Sequence, residues 1–336
     1  MMDDSNPKVA VLDGNDRSVR GDLPGDVREI LRCPQCRGRL NDAAAGLRCP
    51  QCGRDFPFVN GVLRFVDAQQ YTSSFGFQWN RHPRTQLDDE HKHESETAFR
   101  ERTGFTPEEL RGKLVLDVGC GMGRFAEVAS RWGAKVVGID LSQAVEAAAR
   151  NLKDRGTVSI FQADVFSLPF APESFDFIYS IGVLHHTPNC ENAFKSLPPF
   201  LKPGGSIAVW LYSAYNKWYR LSDIYRKVTH RLSPRVLHAL AYIAVPLYYV
   251  HQALCVIPIV GRPTSRIIRY ILPTNQHPNA DQRVLDTFDW YSPKYQSKHT
   301  YEEVFRWFES CHLDSLRVID TPIAVRGHKP EAARER

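Results

Sequence analysis

The sequence predicts an α/β protein: a parallel sheet wound with helices, preceded by a small cysteine-bearing unit and interrupted by a helical insertion. Three observations predict it. Strand-like apolar runs alternate with helical runs across residues 113–213. A glycine-rich turn, "DVGCGMG", closes the first of these runs. Two Cys-x-x-Cys pairs, Cys33/Cys36 and Cys49/Cys52, stand near the start of the chain.

At 336 residues the chain is long enough for one sizeable α/β domain plus smaller attachments. Its 43% hydrophobic and 24% charged content excludes general disorder and a membrane-filling fold, and a net charge of +5 is too mild to argue for nucleic acid by itself. The opening stretch has early acidic residues and no long apolar run, so no secretory signal is expected and a cytoplasmic location is. Of eight cysteines, four cluster and four are scattered. That is no disulfide framework, and Cys120, Cys190, Cys255 and Cys311 are expected to be buried small residues.

Taken in order, a polar arm (1–27) leads into the cysteine unit (28–67), which ends in "FPFVNGVLRFV" with Asn60-Gly61 as a hairpin turn. A polar, helix-prone connection follows (68–112). Strands are expected at "KLVLDVG", "AKVVGID", "VSIFQAD", "FDFIYSIG" and "GGSIAVWLY", with helices at "GRFAEVASRWG" and "SQAVEAAARNLKDRG" (113–213). The insertion (214–280) comes next. The stretch 281–328, beginning "DTFDWYSPKYQSKHTYEEV", reads as loop, amphipathic helix and final hairpin strands, before a short tail (329–336).

The glycine turn places Asp117, Gly119, Gly121 and Gly123 between a strand and a helix, where a backbone without Cβ atoms can lie against a ligand. The nicotinamide-type G-x-G-x-x-G would need a glycine at Arg124, so that reading fails. Asp140 ends the next strand, 21 residues beyond Gly119, where a carboxylate can accept from ribose hydroxyls. Asp164-Val165 ends the third strand. Three such strand ends line one crevice at the carboxyl edge of the sheet.

With these residues, and with "LPFAPESFDFIYSIGVLHHTPN" and "AFKSLPPFLKPGGSIAVW", the chain resembles the class I S-adenosylmethionine-dependent methyltransferases, most closely the group of ubiquinone and menaquinone C-methyltransferases. The resemblance covers Leu114 to Trp210 and implies a Rossmann-like sheet, parallel with an antiparallel last strand, that binds S-adenosyl-L-methionine. It implies that the glycine loop packs on the methionine part, that Asp140 holds the ribose and that Asp164-Val165 meets adenine. Cys120, Leu141 and Ser180 complete the expected cofactor-binding set. His185 and His186 stand where an acceptor would approach and are the candidate bases; the alternative is that they shape their loop. Phe77, Gln78 and Trp79 are expected either to lid the cofactor or to pin a helix on the sheet. Trp290, Tyr291, Lys294, Tyr295 and His299 are expected to form a substrate wall or a packed loop.

The insertion carries nine Lys or Arg and one acidic residue, Asp223, between Lys217 and Arg269, around an uncharged span from Val236 to Gly261. Pro246, Pro258, His238, His251 and Gln252 interrupt that span, which argues against a bilayer crossing. Three readings remain: a cap over the crevice, a patch on a membrane surface, or helices packed on the domain or a second subunit.

The cysteine spacing C-x2-C-x12-C-x2-C fits two thiolate knuckles closing on one zinc ion. Four thiolates leave no open position, so the metal is expected to be structural. This unit also resembles the ribbon that serves as an activator subunit of tRNA and protein methyltransferases, which makes an RNA substrate the runner-up. The stretch "SIGVLHHTPN" stands where amino-methylating nucleic-acid enzymes carry N-P-P-[YFW]. The favoured acceptor is therefore a small molecule, a lipid or a glycan, methylated on C or O. A protein that binds the cofactor without turnover is the alternative of a different class.

Overall fold

The computed structural model describes residues 23–66, 72–215 and 220–331; most of the expected N-terminal arm and the end of the tail lie outside them. A short helix α1 (Gly25–Ile30) precedes four strands, β1 (Asn41–Ala43), β2 (Gly46–Arg48), β3 (Asp55–Val59) and β4 (Val62–Arg64). Asn60 and Gly61 turn the last hairpin at φ 52° and 76°, the left-handed pair that a two-residue hairpin loop requires. Then come α2 (Ser73–Arg81), α3 (Glu94–Thr103) and α4 (Pro107–Leu110).

The alternating region runs β5 (Leu114–Val118), α5 (Arg124–Arg131), β6 (Lys135–Asp140), α6 (Val145–Leu152), β7 (Val158–Gln162), β8 (Phe175–Ile181), α7 (Cys190–Lys195) and β9 (Leu201–Trp210). The expected strands and helices are all present, trimmed or extended by a few residues. The insertion is helical throughout its described part: α8 (Arg220–Thr229), α9 (Pro234–Ala241), α10 (Ala244–Val256) and α11 (Gly261–Ile271). It is followed by α12 (Ala280–Tyr291), α13 (Tyr301–Ser310), β10 (Asp314–Val318) and β11 (Ala324–His328). Here the structure corrects the sequence reading, because "DTFDWY" is the end of α12 and not a loop. Asn279 caps that helix through Gln282 N–H, and Val284, Leu285 and Phe288 bury one face of it.

The strands form one sheet in the order β1-β2-β3-β4-β7-β6-β5-β8-β9-β11-β10. From β4 to β9 neighbouring strands are parallel, and β11 lies antiparallel between β9 and β10. The order reverses at β5, between β6 and β8, which opens a crevice at the carboxyl ends of those strands. The cysteine unit is continuous with this sheet: β4 pairs with β7, Leu63 opposite Phe161 and Arg64 opposite Gln162. An apolar layer on one side of the sheet runs from Leu31 and Phe56 of that unit through Phe161 and Phe170 to Phe308 of α13. The other side is filled by Phe99, Phe105, Trp132 and Tyr179, where α3 and α5 pack.

Candidate active site and cysteine cluster

At the switch point the β5–α5 turn is shaped by its glycines. Gly119 has φ +82° and a Cβ there would lie 2.3 Å from the Val183 side chain. Gly123 has φ +91° and a Cβ would meet Leu152 at 2.7 Å, so its absence lets α5 approach α6. The turn borders a cavity of about 360 Å³. Of the expected cofactor set, Gly119, Cys120, Gly121, Asp140, Leu141, Asp164 and Val165 line it.

Asp117, Gly123 and Ser180 do not line the cavity, and each has a physical reason. Ser180 is fully buried and donates to the Val118 carbonyl at 2.9 Å, stapling β8 to β5. Gly123 serves helix packing. Asp117 is 2% exposed beneath the turn, and its Oδ2 has no hydrogen-bond partner among the described residues. Burial, reinforced by the nearby Asp140 charge, pushes its pKa up to about 8. An orphaned carboxyl directly under a glycine turn is a polar group waiting for a donor.

Asp140 is oriented from both sides. Oδ1 accepts from the Ser142 N–H (2.8 Å) and hydroxyl (2.7 Å), while Oδ2 accepts from Gly121 N–H at 3.0 Å. With a single donor on it, Oδ2 keeps acceptor capacity toward the cavity. Burial raises the Asp140 pKa, and its three hydrogen bonds oppose that shift. Asp164 caps the turn after β7 through Phe166 N–H at 3.0 Å.

The two histidines separate. His185 is 0% exposed, stacks on Tyr212 with ring centroids 4.0 Å apart, and neither of its ring nitrogens has a hydrogen-bond partner among the described residues. It does not line the cavity, so the expectation that it serves as a base is corrected. Burial drives its pKa well down and keeps it a neutral packing group. His186 does line the cavity. Its Nδ1 sits 3.0 Å from the Tyr295 carbonyl. A carbonyl can only accept, so Nδ1 carries the hydrogen and Nε2 is left as a lone-pair acceptor. Burial lowers the His186 pKa, and Asp289 opposes the shift.

From the segment ahead of β5, Gln78 and Trp79 face the cavity together with Phe75, at i, i+3 and i+4 on α2. Phe77 points the other way, against His238 and Phe288. None of the expected wall residues Trp290, Tyr291, Lys294, Tyr295 and His299 lines it. One turn earlier on α12, Gln282, Asp286 and Asp289 do.

Sequence reasoning missed the polar end of the cavity. Arg102 from α3 lies over the Trp210 ring at 4.2 Å, and Arg124 is held by Ser95 (2.9 Å) and Gln86 (3.2 Å). Burial pushes the Arg124 pKa down to about 10 and that of Asp286 up to about 7. The Tyr212 hydroxyl donates to Asp289 at 3.2 Å. Two guanidinium groups and two carboxylates at one end of a mixed pocket can orient a polar, charged molecule. Arg124 directly follows the glycine turn, the one signal that could have found it. Arg102, Asp286 and Tyr212 come together only through the packing of α3 and α12 on the end of β9.

In the N-terminal unit the four thiol sulfurs lie within 4.8 Å of one another, with Cys33–Cys52 at 3.6 Å and Cys36–Cys49 at 3.4 Å. Tetrahedral zinc with Zn–S near 2.3 Å needs sulfurs about 3.8 Å apart, so the residues fit the metal. All four are free thiols. Cys33, Cys36, Cys49 and Cys52 would hold zinc in a closed, structural site. Among the scattered cysteines, Cys120 and Cys190 are buried as expected, whereas Cys311 is half-buried and Cys255, near the end of α10, is exposed.

This fold, with its order reversal, lone antiparallel strand and glycine-turn crevice, defines the class I methyltransferases. Residues 116–209 match the family described as "Methyltransferase domain", and residues 27–61 match "Trm112p-like protein". The chain therefore carries a methyltransferase domain with an N-terminal Trm112p-like ribbon. It is 31% identical over 140 residues to sterol 24-C-methyltransferase of Saccharomyces cerevisiae (38% of this chain, 36% of that protein). It is 30% identical over 139 residues to ubiquinone biosynthesis O-methyltransferase of Coxiella burnetii (41% and 59%). A human relative, "Probable tRNA methyltransferase 9B", is 35% identical over 125 residues (36% and 26%). The chain thus spans about a quarter to three-fifths of the length of these curated relatives. Among solved structures, an S-adenosylmethionine-dependent methyltransferase of Mesorhizobium loti is similar at TM-score 0.30 and 32% identity, covering 34% of this chain and 50% of that one.

Proposed function

We propose that this protein transfers a methyl group from S-adenosyl-L-methionine to carbon or oxygen of a small-molecule, lipid-linked or glycan acceptor. The observation that carries the reading is one cavity bordered both by the oriented carboxylate of Asp140 and by His186, whose tautomer leaves Nε2 as an acceptor. Bound S-adenosyl-L-methionine supplies an electrophilic methyl carbon on a positively charged sulfur. Asp140 and Leu141 hold the ribose, Asp164 and Val165 the adenine, and the turn at Gly119–Gly121 the methionine part. His186 Nε2 takes the proton of an acceptor hydroxyl or acidic C–H as its oxygen or carbon bonds to the methyl. Asp289 favours the imidazolium that results. Trp79 and Phe75 cover the crevice and exclude water. The free thiols fit a reducing compartment, and we place the chain in the cytoplasm.

An RNA acceptor is the second reading, favoured by the Trm112p-like match. The ribbon's arginines count against it. Arg28, Arg48 and Arg64 pair with Asp42, Asp55 and Glu146, and Arg32 and Arg37 donate to carbonyls, which leaves little free basic surface for phosphates. Incubating cell extract with methyl-labelled cofactor and fractionating the products tests both. Label in an organic-soluble or glycan fraction is expected, and label in RNA alone would replace the first reading with the second.

A further inference from the structure

No residue of the insertion between 220 and 279 lines the crevice, so the basic and apolar character of α8–α11 is not explained by a cap over it. The inner face of the insertion is spent on the domain. Leu237 and Ala241 of α9 pack on Val284 and Phe288 of α12, and His238 meets His82 of α2 with Nε2 atoms 2.9 Å apart. Arg283 of α12 lies over the Tyr248 ring at 3.8 Å and donates to the Val245 carbonyl, holding the start of α10. Beyond that point α10 and α11 form a hairpin joined internally by His251 and Ser265 at 3.3 Å. The closeness of the hairpin depends on Gly261, where a Cβ would fall 1.8 Å from the Leu254 carbonyl oxygen.

The outer face is apolar and has no partner in this chain. Val236, Leu240, Ile243 and Val250 are exposed at the four- and three-residue spacing of one stripe along α9 and α10. At the hairpin tip Val256 is 80% exposed and Ile259 is 93% exposed. Ile259 also sits at φ 65°, a conformation that disfavours a β-branched residue and that glycine or asparagine would adopt with less strain. An isoleucine kept there, fully in solvent, stabilises nothing in the fold. On α11 the exposed Ile267 and Ile271 lie opposite the buried Gly261 and Ser265.

Charge selects the occupant. Arg262, Arg266 and Arg269 repeat at i, i+4 and i+7 beside the apolar stripe of α11, and Arg231 and Arg235 precede α9 and begin it. All five are exposed and have no ion-pair partner among the described residues. The one acidic residue of the segment, Asp223, is bound to Arg226 and Lys298. An apolar face flanked by unpaired arginines is complementary to an anionic bilayer surface, with apolar groups entering the acyl boundary and guanidinium groups at the phosphates.

We propose that the α9–α11 face docks on an anionic phospholipid bilayer as an in-plane element, which brings the mouth of the crevice, flanked by α2 and α12, to the membrane surface. This rests on the reading of a lipid-linked acceptor given above and adds where that acceptor is met. Pro234–Val256 is long and apolar enough to cross a bilayer by length and composition. Its first third is pinned to α2 and α12, however, and the 13 residues of α10 reach only about 20 Å of the roughly 30 Å needed. A nucleic acid would match the arginines and leave the apolar face unexplained.

The test is co-sedimentation of the full chain with vesicles of phosphatidylcholine alone and of phosphatidylcholine mixed with phosphatidylglycerol. Binding to the mixed vesicles only, weakened by salt, is expected. Ile257→Asp with Ile259→Asp at the tip, and Arg262→Glu with Arg266→Glu on α11, each reduce it by about tenfold or more. These positions lie outside the cavity, so cofactor binding by calorimetry reports that both variants are folded. No binding to mixed vesicles, or binding indifferent to the tip variant, overturns the proposal. So does retention in the membrane after alkaline carbonate, which indicates a spanning helix, or a lipid-free dimer that the tip variant dissolves. Salt-sensitive binding of RNA but not vesicles, lost in the arginine variant, overturns it as well. Label reaching an organic-soluble fraction without vesicle binding removes only this proposal; vesicle binding with label in RNA alone removes only the acceptor reading.

Discussion

Arg64 of the ribbon donates to Gln162 Oε1 of the catalytic sheet at 2.9 Å, across the β4–β7 seam. Gln162 in turn donates to the carbonyl of Leu141 at 2.8 Å, and Leu141 lines the crevice. The second Arg64 nitrogen pairs with Glu146 of α6 at 2.9 Å. One side chain of the ribbon therefore orders the turn after β6. Replacing Arg64 with Met removes both bonds from a buried setting and should cost about 1–3 kcal/mol of stability in a denaturant titration. Calorimetry should also show a several-fold weaker cofactor affinity, although Arg64 touches no ligand. Unchanged affinity would mean that the seam is purely structural.

The ribbon holds a second wall of the crevice. Ser167 donates to the Pro34 carbonyl at 3.2 Å, Arg37 to the Leu168 carbonyl at 2.7 Å, and Ala171 N–H to the Ile30 carbonyl at 2.7 Å. These contacts clasp the segment directly after Asp164-Val165. Metal analysis should find one zinc per chain. Stripping it with a chelator, or substituting Cys49→Ser, should unfold the ribbon, expose the β7 edge to aggregation and weaken cofactor binding together. Full cofactor affinity in metal-free, soluble protein would separate the ribbon from the site.

Asp140 orients the glycine turn through Gly121 N–H as well as facing the ligand. Asp140→Ala should lower cofactor affinity by at least about a hundredfold, since it removes a charged acceptor and unties the turn. Calorimetry with S-adenosylhomocysteine reads this directly, and an affinity within a few-fold of the parent would move the ribose site elsewhere.

The two adjacent histidines should respond oppositely. His186→Gln should reduce turnover by about 10²–10⁴-fold with cofactor affinity preserved. His185→Phe should retain turnover and stability, because a buried ring with two unpartnered nitrogens is replaced by one with none. A base works in its neutral form, and the His186 pKa is lowered by burial. The acid limb of the rate profile should therefore fall below the ordinary histidine value of about 6.5 and disappear in His186→Gln. A limb that persists in that variant would assign the base to another group.

Asp117 should make the ligand-free protein lose stability toward alkaline pH. Its folded-state pKa of about 8 stands above the ordinary 3.8, so the fold favours the protonated form. The contribution is fully present below pH 3.8 and is lost as pH rises through about 8. Asp117→Asn should flatten that part of the thermal-stability profile and raise the melting temperature at pH 8, while weakening cofactor binding. A profile identical to the parent would show that the carboxyl is solvated in the native state.

Much of this was legible in the chain because the features are local. The alternation of β5 to β9 with their helices, the positive-φ glycines, the Asn60-Gly61 turn and the four-cysteine spacing each follow from neighbours within a few residues. The same locality explains the misreadings. "DTFDWY" looks like a loop until Asn279 caps it and α9 buries its face. Trp290 and Tyr295 look like a substrate wall, but the helical turn directs Asp286 and Asp289 at the cavity instead.

By itself the sequence determined the sheet with its glycine-turn crevice, the placement of Asp140 and Asp164 at successive strand ends, and a closed cysteine site, because strand period and ligand spacing are properties of short stretches. Only the tertiary structure decided which of His185 and His186 faces the cavity, since a short helical turn rotates one ring into the core and the other outward. It alone brought Arg102, Arg124, Asp286 and Tyr212 together from distant segments. It alone joined the ribbon to the sheet through β4 and β7, because strand pairing between segments about a hundred residues apart depends on long-range burial that no local pattern encodes.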